Sequence, residues 1–246
     1  MGFSSRVEVG LPGAVMERIE LLRGLNRLRV SAILGVMVSL FSLVISSLPG
    51  GLVGGEGRLM FSLLLVGAIL ILGLILLVVI VAAWVYKVLG WSSMCKSGMR
   101  RFYCLTRLVV LVCPVVAVVL MIAGGIAIAF RLLSEQLIEK VPTEPWEIVR
   151  ASPTGLTLII GGIVALISTM VVEGVAILDL GMLMGERVLL LGAVAYLAST
   201  LLSAVGQAFP QYPMSTLSNV ASLAAYILLA YGFSKVRKGA EKLEAE

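Results

Sequence analysis

Residues 59–86 read LMFSLLLVGAILILGLILLVVIVAAWVY and contain no charged side chain. A surface helix of a water-soluble protein shows a polar face every 3.6 residues, and this stretch has none. It does not alternate as a barrel strand would. A spanning helix needs roughly 20 apolar residues to cross about 30 Å of hydrocarbon. Two crossings would need about 17 residues each, which is more than the stretch holds. The excess over one crossing is absorbed by tilt or protrusion. These residues therefore read as one transmembrane helix.

Five more apolar runs follow the same logic, at residues 30–48, 108–130, 155–178, 188–209 and 214–234. The whole chain of 246 residues is 60% hydrophobic and 13% charged. Soluble domains carry about 25% charged residues, so the solvent for most of this surface must be lipid. Only helices and closed barrels satisfy every backbone group there. The fold expected is all-α, a polytopic membrane helix bundle of about six transmembrane helices.

Ahead of the first span, residues 14–29 predict an N-terminal amphipathic interfacial helix that continues into that span. Val15, Ile19, Leu22 and Leu25 share one side, with Glu17, Glu20, Arg23 and Arg27 on the other. The organisation is then a tail and interfacial helix (1–29), a six-helix membrane domain (30–234) and a charged tail (235–246). Residues 131–141 read as a helical extension with Glu135 and Glu139, ended by Pro142. Pro145 and Trp146 then form an interfacial anchor, and residues 210–213 a tight hairpin. No cleavable signal is expected, because the first apolar run follows a charged segment. Arg6 stands where a myristoylation signal wants Ser or Thr.

Orientation follows the basic residues. Six spans put residues 1–29, 87–107, 179–187 and 235–246 on one side, with 5, 5, 1 and 4 Lys or Arg. The other side holds 1, 3 and 0. Both termini are thus expected in the cytoplasm, with the chain in the plasma membrane. Trp84, Tyr86 and Trp91 mark the interface at the end of the second span. Lys96, Arg100, Arg101 and Arg107 are candidate contacts for anionic lipid headgroups. Membrane lipids are the partners this implies, along with other membrane proteins or a second copy. Nucleic acid is not needed to explain the +5 charge.

Catalytic motifs are missing. Histidine is absent, Asp179 is the sole aspartate, and no phosphate-binding glycine loop occurs. No enzyme activity and no cofactor are expected. Cys95, Cys104 and Cys113 are spaced nine apart. Nine residues turn a helix by about half a revolution, so neighbours in the series face apart and no disulfide is expected. Thirteen arginines against six lysines, with five amides in all, fit a heat-adapted source.

The ionisable residue inside a span is Glu173, near the predicted cytoplasmic end of the fourth. Such a group costs roughly 2.5–3.5 kcal/mol on insertion scales and faces other helices. It is either a proton or cation site, or a snorkelling carboxylate paired with Arg187 or Lys87. The fifth span carries Tyr196, Ser199, Thr200, Ser203 and Gln207 on one face. The sixth carries Ser215, Ser218, Asn219, Ser222 and Tyr226, and the fourth Gly161, Ala165, Ser168, Thr169 and Glu173. These three faces are expected to meet, with Glu173 near Tyr196. They serve either as close-packing seams or as the lining of a wet path.

Residues 33–45 (ILGVMVSLFSLVI) and 159–171 (IIGGIVALISTMV) match at five of thirteen positions, Gly35 with Gly161 among them. An inverted repeat, as in many transporters, would produce this. The entry Gly24-Leu25-Asn26-Arg27-Leu28-Arg29 and the close Ala225-Tyr226-Ile227-Leu228-Leu229-Ala230-Tyr231-Gly232 resemble a family of crenarchaeal multi-span membrane proteins of unknown function. The resemblance implies an archaeal membrane protein and supplies no catalytic residues.

Overall fold

The computed structural model describes residues 12–47, 59–134, 152–208 and 214–242. They form six helices: α1 (Pro12–Ser47), α2 (Leu59–Lys96), α3 (Arg101–Ser134), α4 (Pro153–Met184), α5 (Arg187–Ala208) and α6 (Met214–Lys242). No strand occurs among the described residues. Each helix is long and apolar enough to cross a membrane, as in a multi-pass membrane protein. The expected loop helix after Ser134, the Trp146 anchor and the 210–213 hairpin lie outside the described residues.

As expected, the amphipathic residues at the start run without a break into the first span, as one helix. Some of their polar side chains bind neighbouring helices. Arg27 donates to the Leu89 carbonyl and the Ser93 hydroxyl of α2, and Arg237 of α6 donates to Asn26. The second span likewise continues as helix past Tyr86 to Lys96.

Glycine shapes both described turns. Gly98, at φ +69°, separates α2 from α3, and Gly185, at φ +63°, separates α4 from α5. A side chain on Cβ disfavours that left-handed backbone. At Gly185 the Glu186 amide reaches back to the Gly181 carbonyl at 3.1 Å, the closing bond of a Schellman cap.

The chain divides into two compact units, residues 1–107 with 176–246, and residues 108–175. In the first, α1 packs on α2 and α6, and α5 packs on α6. Its interior holds Leu25, Leu28, Trp91, Met94, Leu180, Leu189 and Phe233. The helices approach closely where one side lacks a side chain. A methyl group at Gly232 would lie 2.9 Å from the Leu189 Cα, and one at Gly192 3.0 Å from the Leu229 nitrogen. Small residues at such crossings are the usual device of membrane helices, which gain nothing from hydrophobic exclusion.

The second unit is the rest of α3 and α4, packed on Ala117 and Gly124 against Gly155 and Gly162. A Cβ at Gly124 would sit 2.7 Å from the Gly155 carbonyl oxygen, and one at Gly162 2.9 Å from that of Ala117. Each pair is spaced seven residues, or two turns, so both contacts fall on one stripe. Gly35 and Gly161, matched in the sequence repeat, do not share a role. A Cβ at Gly35 would meet the Tyr226 ring at 2.5 Å, whereas Gly161 has only Leu120 at 3.6 Å.

Apolar side chains also cover the outside. Ile71, Leu74 and Val78 of α2, Val119 and Ile126 of α3, and Leu191 and Leu201 of α5 are all more than half exposed. A continuous surface of this kind is a liability in water and the ordinary condition in lipid.

Candidate functional site

The polar face of α5 turns inward toward α6. Tyr196, Ser199 and Thr200 are buried, as is Ser218 of α6, whose hydroxyl donates to the Ser199 carbonyl at 3.4 Å. Two of the expected three faces therefore meet. Ser203 and Asn219 are half-buried, and the side chain of Gln207 lies outside the described ones. The hydroxyls are largely engaged within their own helix: Ser199 and Thr200 both donate to the Tyr196 carbonyl, at 2.8 and 2.9 Å. Serine and threonine commonly satisfy themselves this way in helices, which leaves the face smooth enough for close approach.

At the deep end of this seam all four long helices of the first unit contribute. Tyr196 of α5 and Tyr226 of α6 meet edge to face, with ring centroids 5.7 Å apart. The Lys87 ammonium of α2 stands over both rings, 5.5 Å from one centroid and 5.9 Å from the other. Gly35 of α1 admits the Tyr226 ring where any side chain would collide. An ammonium over two aromatic faces is held by their negative quadrupoles, an attraction that grows as water is excluded. Sequence reasoning noted Lys87 only as a possible partner of Glu173. The signal that would have found this site is the run of α2 beyond Tyr86, which places Lys87 inside a helix and not in a loop.

Glu173 belongs to the second unit and is 4% exposed. Nearby Ser168 and Thr169 donate to the carbonyls of Val164 and Ala165, again within the helix. The expectation that Glu173 lies near Tyr196 spans both units, and neither unit by itself bears on it.

The basic end of the first unit is more built than the sequence suggested. Arg100 donates to Asp179 at 2.6 Å, and the Tyr103 hydroxyl donates to the other oxygen of that carboxylate at 3.0 Å. Arg100 is thus tied to a protein carboxylate although half exposed. Lys96, Arg101 and Arg107 point outward. Trp91 does not mark an interface: it is wholly buried, its ring 5.8 Å from that of Tyr103. Its position follows from α2 continuing inside the bundle beyond Tyr86.

The expectation of no disulfide is also overturned. Cys95 and Cys104 are bridged, with Cα atoms 4.6 Å apart. The half-revolution argument assumed one helix through both residues. Gly98 breaks that helix, so Cys95 ends α2 and Cys104 begins α3, on the two arms of a hairpin. Cys113 remains a free thiol.

A cleft of about 770 Å³ opens at this end. Glu17 and Arg18 of α1, Ser97 and Met99 of the α2–α3 turn, Glu186 of the α4–α5 turn and Lys235 of α6 line it. Lys235 pairs with Glu186 at 2.8 Å, and Arg18 donates to the Ala240 carbonyl. These four segments therefore lie at one end of the unit, as an even number of crossings requires.

Comparison of the chain with known protein families, curated proteins and solved structures finds no match to any of them.

Proposed function

We propose that this chain is a non-enzymatic component of the plasma membrane that acts through lipid or protein partners, with both termini in the cytoplasm. One observation carries the reading. The buried hydroxyls Ser199 and Thr200 of the α5 face are engaged within their own helix, Ser218 bonds across to that helix, and the α5–α6 pair is brought close at Gly192 and Gly232, as in a packing seam. Orientation rests on the 15 to 4 division of basic residues, from 5, 5, 1 and 4 against 1, 3 and 0. A disulfide on the cytoplasmic side supports a heat-adapted source, where intracellular disulfides are common. That agrees with kinship to the crenarchaeal family. The test is gentle extraction from native membranes followed by native mass spectrometry. A stoichiometric complex with another protein or a lipid supports an accessory role. A bare monomer or homo-oligomer counts against it.

A second reading is a small transporter or channel lined by the fourth, fifth and sixth helices near Glu173. Its support is the burial of that carboxylate in an apolar helix, where ionisable groups tend to be functional. Glu173→Gln should then abolish flux into liposomes with the fold intact. Flux that survives the change removes Glu173 from the mechanism.

A further inference from the structure

A groove of about 370 Å³ runs along the outer face of the α1–α6 pair. Ile33 and Val36 of α1 form one wall, and Ile227 and Ala230 of α6 the other. Arg29 and Tyr231 stand at one end, beside Ser234. From Arg29 to Val36 the helix rises about 10 Å. The groove is open to the surroundings, since Ile33 is 43% and Ile227 51% exposed. Its walls are therefore apolar surface at membrane depth, and its mouth is polar.

Charge decides what fits. Several neighbouring cations are engaged: Arg23 with Glu20, Lys235 with Glu186, Arg237 with Asn26, and Arg27 with Ser93 and Leu89. Arg29 is half-buried and makes no hydrogen bond or ion pair among the described residues. Glu20 and Glu186 already hold other cations. A partly buried guanidinium at the headgroup level calls for an anion, and its planar fork suits a phosphate. Tyr231 sits where interfacial tyrosines concentrate, and Ser234 adds a hydroxyl at the same level.

We propose that this groove holds one anionic phospholipid, its phosphate on Arg29 with Tyr231 and Ser234 beside it, and an acyl chain lying between Ile33–Val36 and Ile227–Ala230. Basic pockets between membrane helices are a recurrent way to retain acidic lipids. The inference rests on the membrane reading of the chain and not on the choice between partner and transporter.

The full chain would be purified into nanodiscs of phosphatidylcholine with a minor share of phosphatidylglycerol, released, and weighed by native mass spectrometry. One phosphatidylglycerol should be retained in preference to phosphatidylcholine. Arg29→Gln should lower its retention about tenfold, the scale of one lost charge-assisted hydrogen bond. Ile33→Trp, which fills the groove and leaves the charge, should lower it as well. Arg131→Gln, an exposed cation that does not line the groove, should leave it unchanged. Gel filtration of each variant checks folding. Retention of phosphatidylglycerol equally by Arg29→Gln and Ile33→Trp overturns the groove while leaving a membrane protein that binds lipid elsewhere. No preference for the acidic lipid, or a second copy of the chain occupying the face, overturns it too.

Discussion

Removing the Asp179 carboxylate should cost far more through Tyr103 than through Arg100. Asp179 receives one bond from each, at 3.0 and 2.6 Å, and the shorter is the less valuable. Arg100 is half exposed and Asp179 18% exposed, so water screens their attraction. Exposed ion pairs of this kind contribute about 0–1 kcal/mol. Tyr103 is 0% exposed and packs against Trp91. Asp179→Ala leaves its hydroxyl buried without a partner, at about 1–3 kcal/mol. The sum for Asp179→Ala is about 1–4 kcal/mol, most of it from the tyrosine. Asp179→Asn keeps an acceptor for Tyr103 and loses only the charge, so it should cost under about 1 kcal/mol. Tyr103→Phe removes donor and demand together, and Arg100→Ala gives up a screened pair. Both should fall well below Asp179→Ala. Thermal unfolding in detergent, followed by fluorescence-detected gel filtration, ranks the four variants. If Asp179→Asn is as damaging as Asp179→Ala, or Arg100→Ala matches it, then charge and not the buried hydroxyl holds this end together.

Three more outcomes can be measured. A large maleimide should add once to the denatured, unreduced chain, at Cys113, and three times after reduction; three additions before reduction would mean that Cys95 and Cys104 are not bridged in the cell. Lys96→Cys, in a Cys113→Ser background, should resist an impermeant thiol reagent on intact cells; labelling from outside would reverse the orientation. Gly35→Ala should destabilise by about 1–3 kcal/mol because its methyl would lie 2.5 Å from the Tyr226 ring. Tyr226→Leu should relieve that cost, and additive losses in the double variant would show that the two do not meet.

The sequence by itself determined that the chain is a bundle of six apolar helices. Hydropathy and length are local properties, summed along the chain, and they need no knowledge of neighbours. The division of basic residues between alternate loops was legible for the same reason. What it left open is which way each helix is rotated and where each one stops. A one-residue difference in helix phase turns a side chain by about 100°, so the same tryptophan can face lipid or lie buried. Where each helix stops matters as much: α2 outlasts its apolar run, which carries Lys87 and Trp91 out of the expected loop and into the bundle. Cys95 and Cys104 were separated by a rule of helical phase that Gly98 cancels. Close contacts at Gly35, Gly192 and Gly232 fix those rotations, and they exist only once two helices have met. Tertiary packing therefore decided the lysine between two tyrosines, the Asp179 cluster and the groove beside Arg29. Each depends on contacts between residues far apart in the chain, which no periodicity along one helix encodes.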